Sequence, residues 1–155
     1  MALDLDRVRE LARKEDWLAI LVTRRPDGQS SVSLVNVGIV EHPGTGRQVL
    51  GLVSRGNTAK LRNLRADPGA TLIFRSGWDW VSVNGTAEIA GPDDPHPHVP
   101  AAELPALLRG IYAAAGGTHS DLAEYDREMV ADRRAAVLVT PRRFTSNPTP
   151  HDRED

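Results

Sequence analysis

The stretch Val53-Ser54-Arg55-Gly56-Asn57-Thr58-Ala59-Lys60-Leu61-Arg62-Asn63-Leu64-Arg65 gathers the side chains best suited to chemistry in this chain. It reads as a strand end, a glycine turn and a helix start, with several cations close by. Unpaired N–H groups at a helix start, reinforced by the macrodipole, favour an anion. A lysine in the first turn adds a mobile point charge, and an arginine adds a forked phosphate donor. At helical spacing Lys60 and Asn63 fall about 60° apart on one flank. Arg62 and Arg65 fall beyond the Leu61/Leu64 stripe. Lys60, with Asn57 and Thr58, is therefore the phosphate candidate, and Arg62 would serve another part of a ligand. A solvated cationic helix surface is the competing reading, since charge runs usually face water.

Trp78-Asp79-Trp80 is the second unusual feature. Aromatic residues make up only 5% of the chain, yet two of its three tryptophans sit two apart. Either both fill the core, or they wall a planar ligand or a dimer contact. The histidines say less. His96-Pro97-His98 lies in a proline-rich loop unsuited to an i, i+2 chelate, with no third ligand evident in the sequence, so no metal is expected. His119 reads as part of a helix start, and Glu124 and Asp126 would splay apart on a helix. Gly44-Thr45-Gly46 lacks the later glycine of a dinucleotide fingerprint. No nucleophile-elbow motif occurs.

The elements that must position these residues follow from pattern. Asp4 to Glu15 predicts a helix capped by Asp4 or Asp6, with Leu5, Val8, Leu11 and Ala12 on one face. Trp17 to Arg24 predicts a strand, followed by the hairpin signal Pro26-Asp27-Gly28. Ser31 to Val40 alternates, with Val32 and Leu34 on one side and Ser31 and Ser33 on the other. The alternation slips at Val35-Asn36-Val37, which suggests a bulge or burial on both faces. Further strands are expected over 48–54, 70–75, 78–89 and 135–144, and helices over 57–67, 101–114 and 121–132. Gly91 to Pro100 holds four prolines and reads as an irregular linker.

The 155 residues fit one domain, expected over 1–146, with a polar disordered tail over 147–155. A net charge of -2 lacks the basic field of a nucleic-acid partner. The chain has no cysteine, which removes disulfides, thiolate metal sites and catalytic thiols. The acidic start is unlike a signal peptide, and the apolar runs are strand-sized, so no membrane partner is expected and the cytoplasm is the expected compartment. About six strands with short helices predict a small antiparallel barrel, mainly β with flanking helices (α+β).

The order of these motifs, with the run Lys60-Leu61-Arg62-Asn63-Leu64-Arg65-Ala66-Asp67-Pro68 followed by Val83-Asn84-Gly85-Thr86-Ala87, resembles the pyridoxamine 5′-phosphate oxidase-like split-barrel superfamily. Within it the chain is most similar to the branch that uses the deazaflavin coenzyme F420. His119-Ser120-Asp121, Tyr125, Met129-Val130 and Asp132-Arg133-Arg134 also resemble that branch. The resemblance implies a six-stranded antiparallel split β-barrel and a homodimer with cofactor sites at the interface. It implies that Lys60 and Thr58 hold the coenzyme phosphate, and that Asn63 and Arg62 contact the ring or side chain. Ser33 and Ser54 would line the ring, and Trp80 would face it. The implied activity is hydride transfer from reduced F420 to a small electron-poor acceptor, an enone, quinone or tetrapyrrole-like molecule. The alternatives are an FMN-dependent oxidase or reductase and a non-catalytic coenzyme carrier.

Three departures bear on this. The second strand starts Ser30-Ser31-Val32 without the cation that FMN oxidases of the family carry there. The end of the chain lacks the arginine motif of true pyridoxamine phosphate oxidases. Thr58 stands where relatives often carry arginine.

Overall fold

A computed structural model of the chain describes residues 3–147. The first helix, α1 (Leu5–Lys14), is started by Asp4, whose carboxylate accepts from the N–H groups of Asp6 and Arg7 at 3.0 and 3.2 Å. Such a cap satisfies donors that the helix itself cannot. Val8, Leu11 and Ala12 are the buried face of α1.

The strands are β1 (Leu18–Arg24), β2 (Ser30–Asn36), β3 (Gly38–Glu41), β4 (Gln48–Ser54), β5 (Gly69–Ser76), β6 (Asp79–Ala90) and β7 (Ala135–Ser146). They form one antiparallel sheet in the order β2-β1-β5-β6-β7-β4-β3. The sheet curls far enough that β2, at one edge, approaches β4 near the other. Seven strands replace the expected six. The segment 31–40, read as one strand, divides at Val37, which is fully buried and donates its N–H to the Trp17 carbonyl. The slip in alternation at Val35-Asn36-Val37 is this break: the chain leaves the β1 ladder and joins that of β4.

β6 and β7, twelve residues each, are the spine of the sheet. Their register shifts between Asn84 and Gly85. A Cβ at Gly85 would lie 2.4 Å from the Thr140 carbonyl oxygen, so this irregularity requires a glycine.

The helix α2 (Ala59–Ala66) follows β4 and plugs Leu61 and Leu64 into the main core, with Phe74, Leu72, Leu52 and Val137. A second, smaller core lies where α3 (Leu104–Ala114) covers β3, β4 and β7, and joins Leu108, Ile111, Val49 and Leu138. α3 begins after a short 3-10 turn (Ala101–Glu103), and α4 (Leu122–Ala131) leads into β7. The proline-rich segment after β6 has no strand or helix, only the isolated bridges Gly91↔Asp94 and His96↔Val99.

Trp78 is 91% exposed in the turn between β5 and β6, so it does not fill the core, whereas Trp80 on β6 is half-buried. Among the described residues no helix is long and apolar enough to cross a membrane. Asn147 apart, the expected tail lies outside the described residues.

Candidate functional site

The ends of β2 and β4, the start of α2 and the facing sides of α3 and α4 enclose a cleft of about 460 Å³. Its floor is the turn between β4 and α2. Asn57 holds φ 60°, a left-handed conformation that asparagine tolerates better than most residues. Gly56 sits against the corner between α4 and β7, and a Cβ there would lie 2.8 Å from the Arg133 carbonyl oxygen. The Gly56 N–H donates to the Asp132 carbonyl at 3.1 Å, fastening the turn to that corner.

Ser54, Thr58 and Lys60 all line this cleft. Ser54 is 2% exposed, and its hydroxyl donates to the Arg55 carbonyl at 3.0 Å. That commits its one proton, so Thr58, 3.0 Å away, is the donor between the two hydroxyls. Thr58 occupies the N-cap of α2 without capping it by its side chain. The amides of the first turn therefore keep open donors, aimed where the macrodipole is positive. Lys60 has no ion-pair partner among the described residues.

The other sequence candidates sit elsewhere in this chain. Ser33 is half-buried on β2 opposite Leu21, while its neighbours Leu34, Val35 and Asn36 reach the cleft. Arg62 is exposed and folds back, donating to the Asn57 carbonyl at 2.8 Å and to Asn57 Oδ1 at 3.3 Å. It staples the turn. Asn63 is 6% exposed and donates to the Thr23 hydroxyl at 3.1 Å, a buried bond between α2 and β1. Trp80 pairs with Arg75 across the β5–β6 ladder, away from the cleft.

The opposite wall holds Ile111, Tyr112 and Ala115, which the sequence did not single out, with Tyr125, Met129 and Arg134, noted there only for their family resemblance, and Arg55 beside them. Tyr112 and Tyr125 pack with ring centroids 4.9 Å apart. Burial pushes the Tyr125 phenol up, and its O–H donates to the Leu108 carbonyl at 3.3 Å. Only tertiary packing of α3 and α4 brings these residues opposite Lys60; their spacing along the chain carries no such signal.

A second polar cluster lies on the α3 side of the sheet. His42 Nε2 is 2.8 Å from Glu88 Oε2, and His96 Nε2 is 2.8 Å from Glu88 Oε1. The three possible ligand atoms lie within 4.8 Å of one another, so His96 has the companions that the sequence did not reveal. The tautomers assign their role. His42 Nδ1 accepts from the N–H groups of Gly44 and Thr45 at 3.0 and 3.2 Å, and His96 Nδ1 accepts from His98 N–H at 3.1 Å. Each neutral ring thus carries its proton on Nε2 and donates it to Glu88. A metal-ligating imidazole needs the reverse, with a free Nε2 lone pair and an acceptor at the other nitrogen. The trio is a hydrogen-bonded clamp. Burial alone would raise the Glu88 carboxyl, but the imidazole donors outweigh it and hold the group below the usual carboxylate range.

A curled antiparallel sheet with an anion-seeking helix start at its rim is the architecture of the FMN-binding split barrels. The family model described as pyridoxamine 5′-phosphate oxidase matches residues 5–146, and the chain belongs to that family. Solved structures agree on the fold. An F420 reductase is 20% identical with a TM-score of 0.58, over 84% of this chain and 90% of that one. A pyridoxamine 5′-phosphate oxidase-related, FMN-binding protein from Nostoc punctiforme is 15% identical with a TM-score of 0.64, over 93% and 84%. The heme storage protein HutZ from Vibrio cholerae is 13% identical with a TM-score of 0.56, over 94% and 95%.

Proposed function

We propose that this chain is an oxidoreductase that binds the deazaflavin coenzyme F420 in the cleft and reduces a small electron-poor acceptor. The observation that carries the reading is the uncapped start of α2, with Lys60 unpaired among the described residues and an apolar wall opposite. This donor set fits a phosphate, and the wall of Ile111, Ala115 and Met129 fits a planar ring. The bound coenzyme supplies hydride chemistry.

The chain's own residues supply the rest. Lys60 and the α2 amides bind the phosphate, and the Thr58 hydroxyl turns from Ser54 to join them. Ser54 fixes the turn from below. Ile111, Tyr125 and Met129 exclude water and hold the reactants in register. Tyr125 is not the acid, because its proton is spent on Leu108. The acceptor's proton comes from solvent.

The active form is a homodimer with cofactor sites at its interface. Val32 and Leu34, 62% and 64% exposed on edge strand β2, supply the apolar contact, and Leu34 also lines the cleft. Ser33 and Trp80 meet the ring in that assembly, as the family resemblance implies, while Arg62 and Asn63, implied for the same role, serve it by holding the turn and α2 in place. Light scattering reads a dimer for the native chain and a monomer for Val32→Asp; a native monomer with full coenzyme affinity contradicts this arrangement.

FMN is the second reading, because the same donors suit its phosphate and a relative of this fold is described as FMN-binding. Titration with each coenzyme, followed by fluorescence, separates the two. Micromolar binding of F420 with little of FMN supports the deazaflavin reading, and the reverse preference replaces it. Tight binding with no turnover of any enone, quinone or tetrapyrrole acceptor makes the protein a carrier.

A further inference from the structure

Three cations and no carboxylate line the cleft: Lys60, Arg55 and Arg134. In a chain of net charge -2 this is a local field of opposite sign, and apolar walls focus it. The cations form two poles. Lys60 stands on the first turn of α2. Arg134 stands at the corner between α4 and β7 and Arg55 in the turn after β4, and both reach the same Asp132 carboxylate there, at 3.2 and 3.6 Å. One carboxylate shared by two guanidiniums leaves that corner positive. Arg134 turns Nε and Nη2 to Asp132, and Nη1 has no acceptor among the described residues. Its side chain keeps 24% exposure, so a ligand can reach it. The tilted Tyr112–Tyr125 pair and Met129 share this wall of the cleft.

The coenzyme reading gives Lys60 a phosphate and leaves the second pole without a role. We propose that Arg134, assisted by Arg55, binds the carboxylate of a planar aromatic acid whose ring lies against Tyr112 and Tyr125. On the oxidoreductase reading, which it deepens, the acceptor is an anionic planar molecule rather than a neutral one. Specificity follows from the charge. A neutral analogue of the same shape keeps the ring contact but forfeits the charge-assisted pair with a partly buried guanidinium. The same chemistry could also come from an acidic group on the coenzyme itself, which the experiment separates.

The test is calorimetric titration of the full chain with naphthoate, with the isosteric naphthamide, and in parallel with F420. Native protein binds naphthoate about tenfold tighter than naphthamide, the scale of one charge-assisted pair. Arg134→Gln removes that preference while leaving naphthamide and F420 affinities unchanged. Arg55→Gln reduces the preference less, and it serves as the test if Arg134→Gln does not fold. Equal affinity of native protein for acid and amide overturns the proposal, as does a preference that survives in both variants. Weakened F420 with unaltered naphthoate assigns the pole to the coenzyme and also overturns it. Absence of F420 binding to native protein, with the naphthoate preference intact, sinks the deazaflavin reading and leaves this subsite standing.

Discussion

Around Glu88 every polar atom has found a partner, whereas around Lys60 several have not. The two regions draw on similar material: charged side chains, loop amides and a nearby glycine turn. In the clamp, two imidazole donors meet two carboxylate oxygens, and loop N–H groups occupy both remaining ring nitrogens. In the cleft, the first-turn amides of α2, the Lys60 ammonium and Arg134 Nη1 have no protein acceptor among the described residues. A saturated cluster holds the chain together, and an unsaturated one beside an apolar wall waits for a ligand. The count of spent donors, rather than the kind of residue, separates structure from function here.

The clamp explains how an irregular loop stays in place. His96 ties it to β6, Arg65 grips Asp94 with two bonds at 2.8 and 2.7 Å, and Arg133 pairs with Asp93. The loop leads directly into α3, which walls the cleft. Rigidity in one region is thus used to shape the other.

Substitutions in the two regions should therefore separate stability from binding. The largest effect belongs to Glu88→Ala, which strands two nearly buried imidazole donors and lowers unfolding stability by roughly 2–3 kcal/mol, read by urea denaturation. Coenzyme affinity measured on the folded protein stays at the native value. Next, Lys60→Ala costs about 1–3 kcal/mol of coenzyme binding but leaves the denaturation midpoint within about 0.5 kcal/mol of native. Arg62→Ala sits between the regions. It removes the staple on Asn57 and lowers stability by about 0.5–1 kcal/mol, with a smaller loss of coenzyme affinity because the turn loosens.

The smallest effect is in pH. Glu88 has a folded-state pKa below its unfolded value, so its contribution is present above the ordinary glutamate range and disappears as pH falls through the lower folded value. Glu88→Gln should be less stable than native at neutral pH, with the gap closing below about pH 4. A gap that widens on acidification would contradict the clamp.

Much of the fold was legible because local signals were strong. The Asp4 cap, the Leu61/Leu64 stripe and the alternation of β6 each reflect interactions within a few residues. The break at Val37 was visible only as a slip, since what decides it is a bond to Trp17, twenty residues earlier in the chain. Period-2 spacing put Trp78 with Trp80 on one face, but the turn at Gly77 takes Trp78 out of the sheet. At the site, the strand-turn-helix geometry singled out Lys60 with Asn57 and Thr58, and the family resemblance added Ser54; of these Ser54, Thr58 and Lys60 line the cleft. The burial of Asn63 against Thr23 was not legible, because helical spacing cannot say which flank faces β1. Neither was the clamp, whose histidines meet Glu88 across separations of 46 and 8 residues.

The most direct test of the account is the F420 dissociation constant of Lys60→Ala against that of native protein, with folding checked on the same samples. Affinity about tenfold weaker in a fully folded variant is the predicted result. An unchanged constant would mean that the start of α2 is a solvated cationic surface and that the coenzyme, if it binds, binds elsewhere.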